Sequence, residues 1–164
     1  QALTGLFLVP VAATNRIYAR DLARYIHRND RKAITAMLRR RLAWVLPWVL
    51  AVVGLVWWSG EWILGILQPE FIDIGTAPLR VLTLSAALAM LLALGPTWLK
   101  FQDRGRVVLI VMGLTAVVQI ALLIALTPQF KATGAALAYA IPTTIAYALF
   151  AVLAGGSRAT RPRQ

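Results

Sequence analysis

RIYARDLARYIHRNDRKAITAMLRRR, residues 16–41, sets nine cations against two acids between two strongly apolar runs. LTGLFLVPVAA precedes it and LAWVLPWVLAVVGLVWW follows it. Dense Lys/Arg between apolar runs orients a membrane protein, because such loops are retained in the cytoplasm. Arg16, Arg20, Arg24 and Arg28 recur every fourth residue and stack along one side of a helix. Ile17, Tyr18, Leu22, Tyr25 and Ile26 fill much of the other side, a pattern suited to the headgroup boundary. Asn29-Asp30 then offers a turn and an N-cap, with a new helix expected near Arg31.

Composition agrees with a lipid environment. The 164 residues are 60% hydrophobic and 14% charged, with a mean hydropathy of +0.72. Soluble domains carry about a quarter charged residues. The formal net charge of +11 raises nucleic acid as a partner. A nucleic-acid surface gathers its cations on a water-soluble patch. Here they sit at the ends of apolar spans, so no nucleic-acid partner is expected, and anionic membrane lipids are. The chain contains no Cys and one His, His27. Neither a metal site nor a cofactor is expected from them.

The expected fold is an all-α integral membrane protein with four full transmembrane helices and one partial one. The partial span is Ala2 to Thr14, interrupted by Pro10. Its run of about fourteen apolar residues falls short of the roughly twenty a crossing needs. It also lacks the basic start and small-residue cleavage site of a signal peptide. The chain is therefore expected to begin inside a helix of a larger protein. The full spans are Leu42 to Gly60, Leu79 to Leu99, Val107 to Thr127 and Thr133 to Ala154. Glu61 to Pro78 is read as an outer connection whose apolar first half, WILGIL, lies at the interface or extends the second span by a turn or so, residues 100–106 as an inner loop turning at Gly105, and Pro128 to Lys131 as an outer turn. Residues 1–155 form the helical bundle and 156–164 a basic cytoplasmic tail. Trp57, Trp58 and Trp62 mark the outer boundary of the second span. Ser85, Ala89 and Ala93 form a small-residue stripe for close helix packing. Pro47, Gly95-Pro96 and Pro142 are expected to bend their helices.

All six acids, Asp21, Asp30, Glu61, Glu70, Asp73 and Asp103, fall outside these spans. Proton and cation relays generally use intramembrane carboxylates. Ser59, Ser85 and Ser157 have no His and Asp placed to make a hydrolytic triad. No catalytic residue is assigned, and the chain is not expected to be an enzyme. The polar groups that could meet a substrate are Asn15, Arg16, Arg80 and Gln119. Asn15 and Gln119 equally suit hydrogen bonds between helices. Arg80 suits snorkelling to outer headgroups or an anionic substrate at a cavity mouth.

Three stretches, AATNRIYARDLARYIHRNDRKAI, PLRVLTLSAALAMLLALGPTWLKFQDRGR and LTPQFKATGAALAYA, occur in this order. The set resembles the second half of the MATE-like flippase superfamily, in its polysaccharide and O-antigen exporter branch. Tyr18-Ala19 and Gln68-Pro69 depart from a family that often has Pro and Gly in those regions. The resemblance implies two pseudo-symmetric bundles around a central cavity, in the bacterial cytoplasmic membrane. It also implies a polyprenyl-diphosphate-linked oligosaccharide as substrate, moved by alternating access. A polysaccharide polymerase or assembly proteins would be partners. Two other readings stand beside it: an ion-coupled multidrug exporter of the same superfamily, and a membrane-embedded glycan-assembly enzyme or its structural partner.

Lys and Arg number nine over residues 15–41, then one (Arg80), three (Lys100, Arg104, Arg106), one (Lys131) and three in the tail. This alternation predicts cytoplasmic and external loops in turn. Single cysteines near Arg104 should be labelled only from the cytosol and those near Lys131 only from outside. Cytosolic labelling near Lys131 would refute the topology.

Overall fold

The computed structural model describes residues 18, 21, 23–25, 30–67 and 69–156. Among them are four helices: α1 (Arg31–Leu67), α2 (Phe71–Leu92), α3 (Leu94–Phe101) and α4 (Gly105–Gly156). Three stretches, Lys32–Ile66, Ile72–Phe101 and Gly105–Gly155, are long and apolar enough to cross a membrane.

α1 begins where a capping side chain allows it. Asp30 Oδ1 accepts the Ala33 N–H at 3.0 Å, satisfying one of the donors that a helix start leaves open. The helix then buries Ile34, Met37, Arg41, Val45, Val49, Val52, Val56 and Gly60. These steps of three and four residues make a single stripe along one side. Val45 and Val49 pack against Ala87 and Met90 of α2. The expected N-cap is present, but α1 extends well beyond Leu42 to Gly60 at both ends. Pro47 consequently lies well inside it rather than in its first turns.

The outer connection is much shorter than expected. Helix occupies Glu61 to Leu67 and Phe71 to Pro78, leaving residues 68–70 between α1 and α2. Apolar residues explain the difference: the WILGIL run continues the α1 pattern, and Ile72 packs back on it. Glu61 and Asp73 are thus helical, near the ends that face this turn. Both are exposed.

α2 and α3 form one apolar rod broken at Ala93. Pro96 has no N–H to give Leu92, and its ring crowds that carbonyl, which favours a break here, although Pro47, Pro78 and Pro142 sit inside helices that continue. α3 closes at the far end with a left-handed residue. Asp103 has φ 57°, while the Asp103 N–H reaches Lys100 O at 3.3 Å and the Arg104 N–H reaches Leu99 O at 3.0 Å. That is a Schellman closure with Asp103 in the place usually held by Gly. Gly105, expected as the turn, instead begins α4.

At 52 residues, α4 is longer than any bilayer requires. Its backbone leaves the helical region at Lys131 (φ 49°, ψ −126°). The limbs on either side fold back on each other, since Val108 of the first shares a buried cluster with Ala146 and Phe150 of the second. The reversal requires Gly134: a Cβ there would stand 2.7 Å from the Leu126 carbonyl carbon. In the second limb Gly134, Ala138, Pro142, Ala146, Phe150 and Ala154 are all buried. A four-residue repeat lags the 3.6-residue turn, so this stripe winds gradually around its helix. It packs on α2 through Ser85 and Ala140, then on α3 and the first limb through Phe150.

The expected small-residue packing at Ser85 is present. The closest approach lies further on, at Gly95. A Cβ there would meet Phe150 Cβ at 3.0 Å, its carbonyl carbon at 3.1 Å and Ala151 N at 3.2 Å. Because two of these atoms are backbone, a side-chain rotation cannot relieve the crowding. Gly95→Ala should lower the unfolding temperature of detergent-purified protein, at a cost of about 1–3 kcal/mol. Gly113→Ala, whose added Cβ would meet nothing within 4 Å, should be neutral or stabilising.

Candidate functional site

Arg41 stands in the core stripe of α1, where Val or Leu would be usual, and is only 3% exposed. Its guanidinium lies against the broken end of α2. Nη1 donates to Leu91 O at 3.2 Å and Nη2 to Met90 O at 3.1 Å. In a continuous helix those carbonyls would take the N–H groups of Leu94 and Gly95. The break removes both donors, and the Ala93 N–H reaches Met90 O at only 3.4 Å. Arg41 therefore supplies from α1 what α2 and α3 cannot supply themselves. Its positive charge also meets the negative end of the α2 dipole.

The surroundings of this contact are apolar. Val45, Val49 and Met90 lie on one side, and Ile34, Met37 and Trp98 on the other. Tyr18 and Tyr25 pack on the second group. A helix break, a buried cation and aromatic cover thus meet where α1, α3 and the preceding segment converge. Chemically the cluster offers hydrogen-bond donors and positive charge, without a nucleophile. Among the described residues no group of three or more His, Cys, Asp or Glu could hold a metal.

A second polar contact joins α2 to the far limb of α4. Ser85 is 3% exposed. Its hydroxyl reaches Ala140 O and the Thr144 hydroxyl, each at 3.4 Å. These long bonds lie beside Pro142, whose missing N–H leaves Ala138 O without its helical donor.

Of the four residues singled out from sequence, Asn15 and Arg16 lie outside the described residues, as does His27. Arg80 lies near the other end of the bundle from Arg41. Its Nη2 pairs with Glu61 at 3.2 Å, and its guanidinium carbon stands 5.4 Å from the centre of the Trp57 ring. Arg80 is thereby tied to α1. Gln119 is half-buried on the stripe Val108, Val111, Thr115, Gln119, Leu122 and Leu126, the less exposed side of the first α4 limb. Arg80 and Gln119 share no contact with Arg41.

In the sequence Arg39, Arg40 and Arg41 together mark the cytoplasmic end of the span that begins at Leu42. Arg39 and Arg40 are exposed; Arg41 is not. The spacing of Arg41 from Met37 and Val45 is the signal that separates them, since it continues the apolar stripe. No family model, curated protein or solved structure matches the chain.

Replacing Arg41 with Leu keeps the packing volume but leaves two carbonyls without a donor. The expected loss is about 2–4 kcal/mol in thermal unfolding of detergent-purified protein, with Arg41→Lys intermediate. Arg80→Ala breaks a largely exposed pair and should cost less than about 1 kcal/mol in the same measurement.

Proposed function

We propose that this chain is the membrane-embedded part of a flippase for a polyprenyl-diphosphate-linked oligosaccharide. It crosses the bacterial cytoplasmic membrane four times in full, with a partial span at its start. Residues 1–155 form a bundle that belongs to a larger two-bundle transporter, and the basic tail is cytoplasmic. The ordered set of three sequence stretches carries this reading.

Several features support it. α4 divides at Lys131 into two limbs of about 25 residues, each sufficient for one crossing. Arg39, Arg40, Lys100, Arg104 and Arg106 gather at the end where α1 begins, and Arg80 and Lys131 lie toward the other. That is the asymmetry expected of cytoplasmic and external faces. Broken membrane helices recur in alternating-access transporters, and α2–α3 is broken at a defined point. A diphosphate-sugar headgroup needs such a protein, because its charges cannot enter hydrocarbon without replacement of their hydration.

The candidate substrate contacts take unequal positions in this reading. Arg80 is held by Glu61 and Trp57, so its charge is partly answered already. Gln119 is half-buried on the less exposed side of the first α4 limb. Asn15 and Arg16 remain the candidates at the cytoplasmic entrance. Asp21, Asp30, Glu70 and Asp103 lie outside the apolar stretches Lys32–Ile66, Ile72–Phe101 and Gly105–Gly155, and Glu61 and Asp73 stand near the outer ends of two of them, whereas the drug-exporter reading wants an acid deep within a span.

Deleting the gene in its own cell tests the proposal. Surface polysaccharide should fall severalfold while undecorated lipid-linked oligosaccharide accumulates on the cytoplasmic leaflet. Unchanged polysaccharide with increased drug sensitivity would support the exporter reading instead.

A further inference from the structure

The start of α1 has two unlike faces. Ile34, Met37 and Arg41 pin one of them to the bundle. On the other, Lys32, Thr35, Ala36 and Arg39 are all exposed and line an open groove of about 400 Å³. The row Lys32, Ala36, Arg39 continues in register through Ala43, Leu46 and Leu50, all of which are exposed. The alternating steps of four and three keep these six residues on one side of the helix.

The row changes character along its length. Its first part is cationic, with Lys32 and Arg39 about 10 Å apart along the axis. Its second part is purely apolar and extends about 17 Å beyond Arg39. Exposed Trp44 and Trp48 stand at the level of the apolar part but on another side of the helix, as Trp does near a membrane boundary. No acid lies on the row. The opposite side of the helix is fixed by the Asp30 cap and by Arg41, so this face is presented in a set orientation.

We infer that this face binds an anionic glycerophospholipid, with the headgroup phosphate between Lys32 and Arg39 and an acyl chain along Ala43, Leu46 and Leu50. A zwitterionic headgroup brings its own cation against Lys32 and Arg39. An acidic peptide or free phosphate makes no use of the apolar continuation. Only an anionic lipid matches both halves of the row in their order. The inference rests on the membrane reading of the helices, and not on which substrate is transported.

The test uses the full chain, purified with equal phosphatidylglycerol and phosphatidylcholine, with retained lipids counted by native mass spectrometry. Wild type should retain phosphatidylglycerol preferentially. The double variant Lys32→Gln/Arg39→Gln should lose that preference about thirtyfold, the combined contribution of two cations near an anionic surface. Leu46→Gln should weaken retention through the acyl half of the site. Arg104→Gln/Arg106→Gln, which removes exposed cations of the same end away from the row, should change it less than twofold. Equal losses in both double variants would overturn the site in favour of diffuse surface charge. Full competition by millimolar inorganic phosphate, with no effect of Leu46→Gln, would overturn it in favour of a soluble anion site. Release of the protein from cell membranes by alkaline carbonate would overturn the membrane reading and this site together. Integral behaviour without lipid preference would overturn the site alone.

Discussion

Two hydrogen bonds from the Arg41 guanidinium to the last carbonyls of α2 reconcile the main conflict in this structure. The apolar rod is broken just before Gly95-Pro96, and a break exposes backbone acceptors where water is scarce. Each such group left without a donor costs several kcal/mol in a lipid-like medium. Arg41 resolves this from a neighbouring helix, and so ties the register of α1 to the position of the break. The price is a buried charge, tolerated because it replaces two missing N–H groups and sits at the negative end of a helix dipole. With that contact made, α3 can leave the line of α2 and bring Gly95 against the Phe150 backbone.

The rest of the packing follows from where small residues stand. α1 and α2 meet through valines and alanines, while α2, α3 and the second limb of α4 meet through Ser85, Gly95 and the Gly134–Ala154 stripe. Apolar side chains gain little from leaving lipid for a helix surface, so close backbone approach and a few polar contacts have to hold such helices together. The first limb of α4 is the counter-example: Leu109, Ile110, Leu114 and Ile124 remain more than 60% exposed. It contributes one side to the bundle and turns the other outward.

Much of the architecture was legible in the residues. Asp30 announced the start of α1 through cap chemistry, Gly95-Pro96 announced a bend, and Ser85 announced a close helix contact. Boundaries were less legible. The connection between α1 and α2 read as longer than it is, with only a turn or so added to the first helix, because Glu61, Asp73 and Pro78 look like loop residues; yet Asp73 stands in the first turn of α2, where an acid suits the helix dipole, and Pro78 lies inside that helix. The turn at Asp103 was missed because Gly105 is the residue that left-handed backbone favours. Arg41 was hidden by its neighbours. Three consecutive arginines read as one charge cluster, while helical geometry points them in three directions 100° apart. Asn15 and Arg16 were singled out by composition alone, and their geometry lies outside the described residues.

The contacts of Ser85 with Ala140 and of Gly95 with Phe150 each bridge about 55 positions, and both advance in the same sense along the chain. α2–α3 and the second limb of α4 therefore run parallel, whereas α1 with α2, and the two limbs of α4, run antiparallel. Antiparallel neighbours can pair as soon as a short connection closes, since little chain entropy stands in the way. Parallel neighbours must wait until the intervening limb has been laid down and reversed at Lys131. The most deeply buried interface of the molecule is thus the last that a growing chain can complete. Until then, the Gly95 face and the carbonyl end held by Arg41 stand side by side at an unfinished surface.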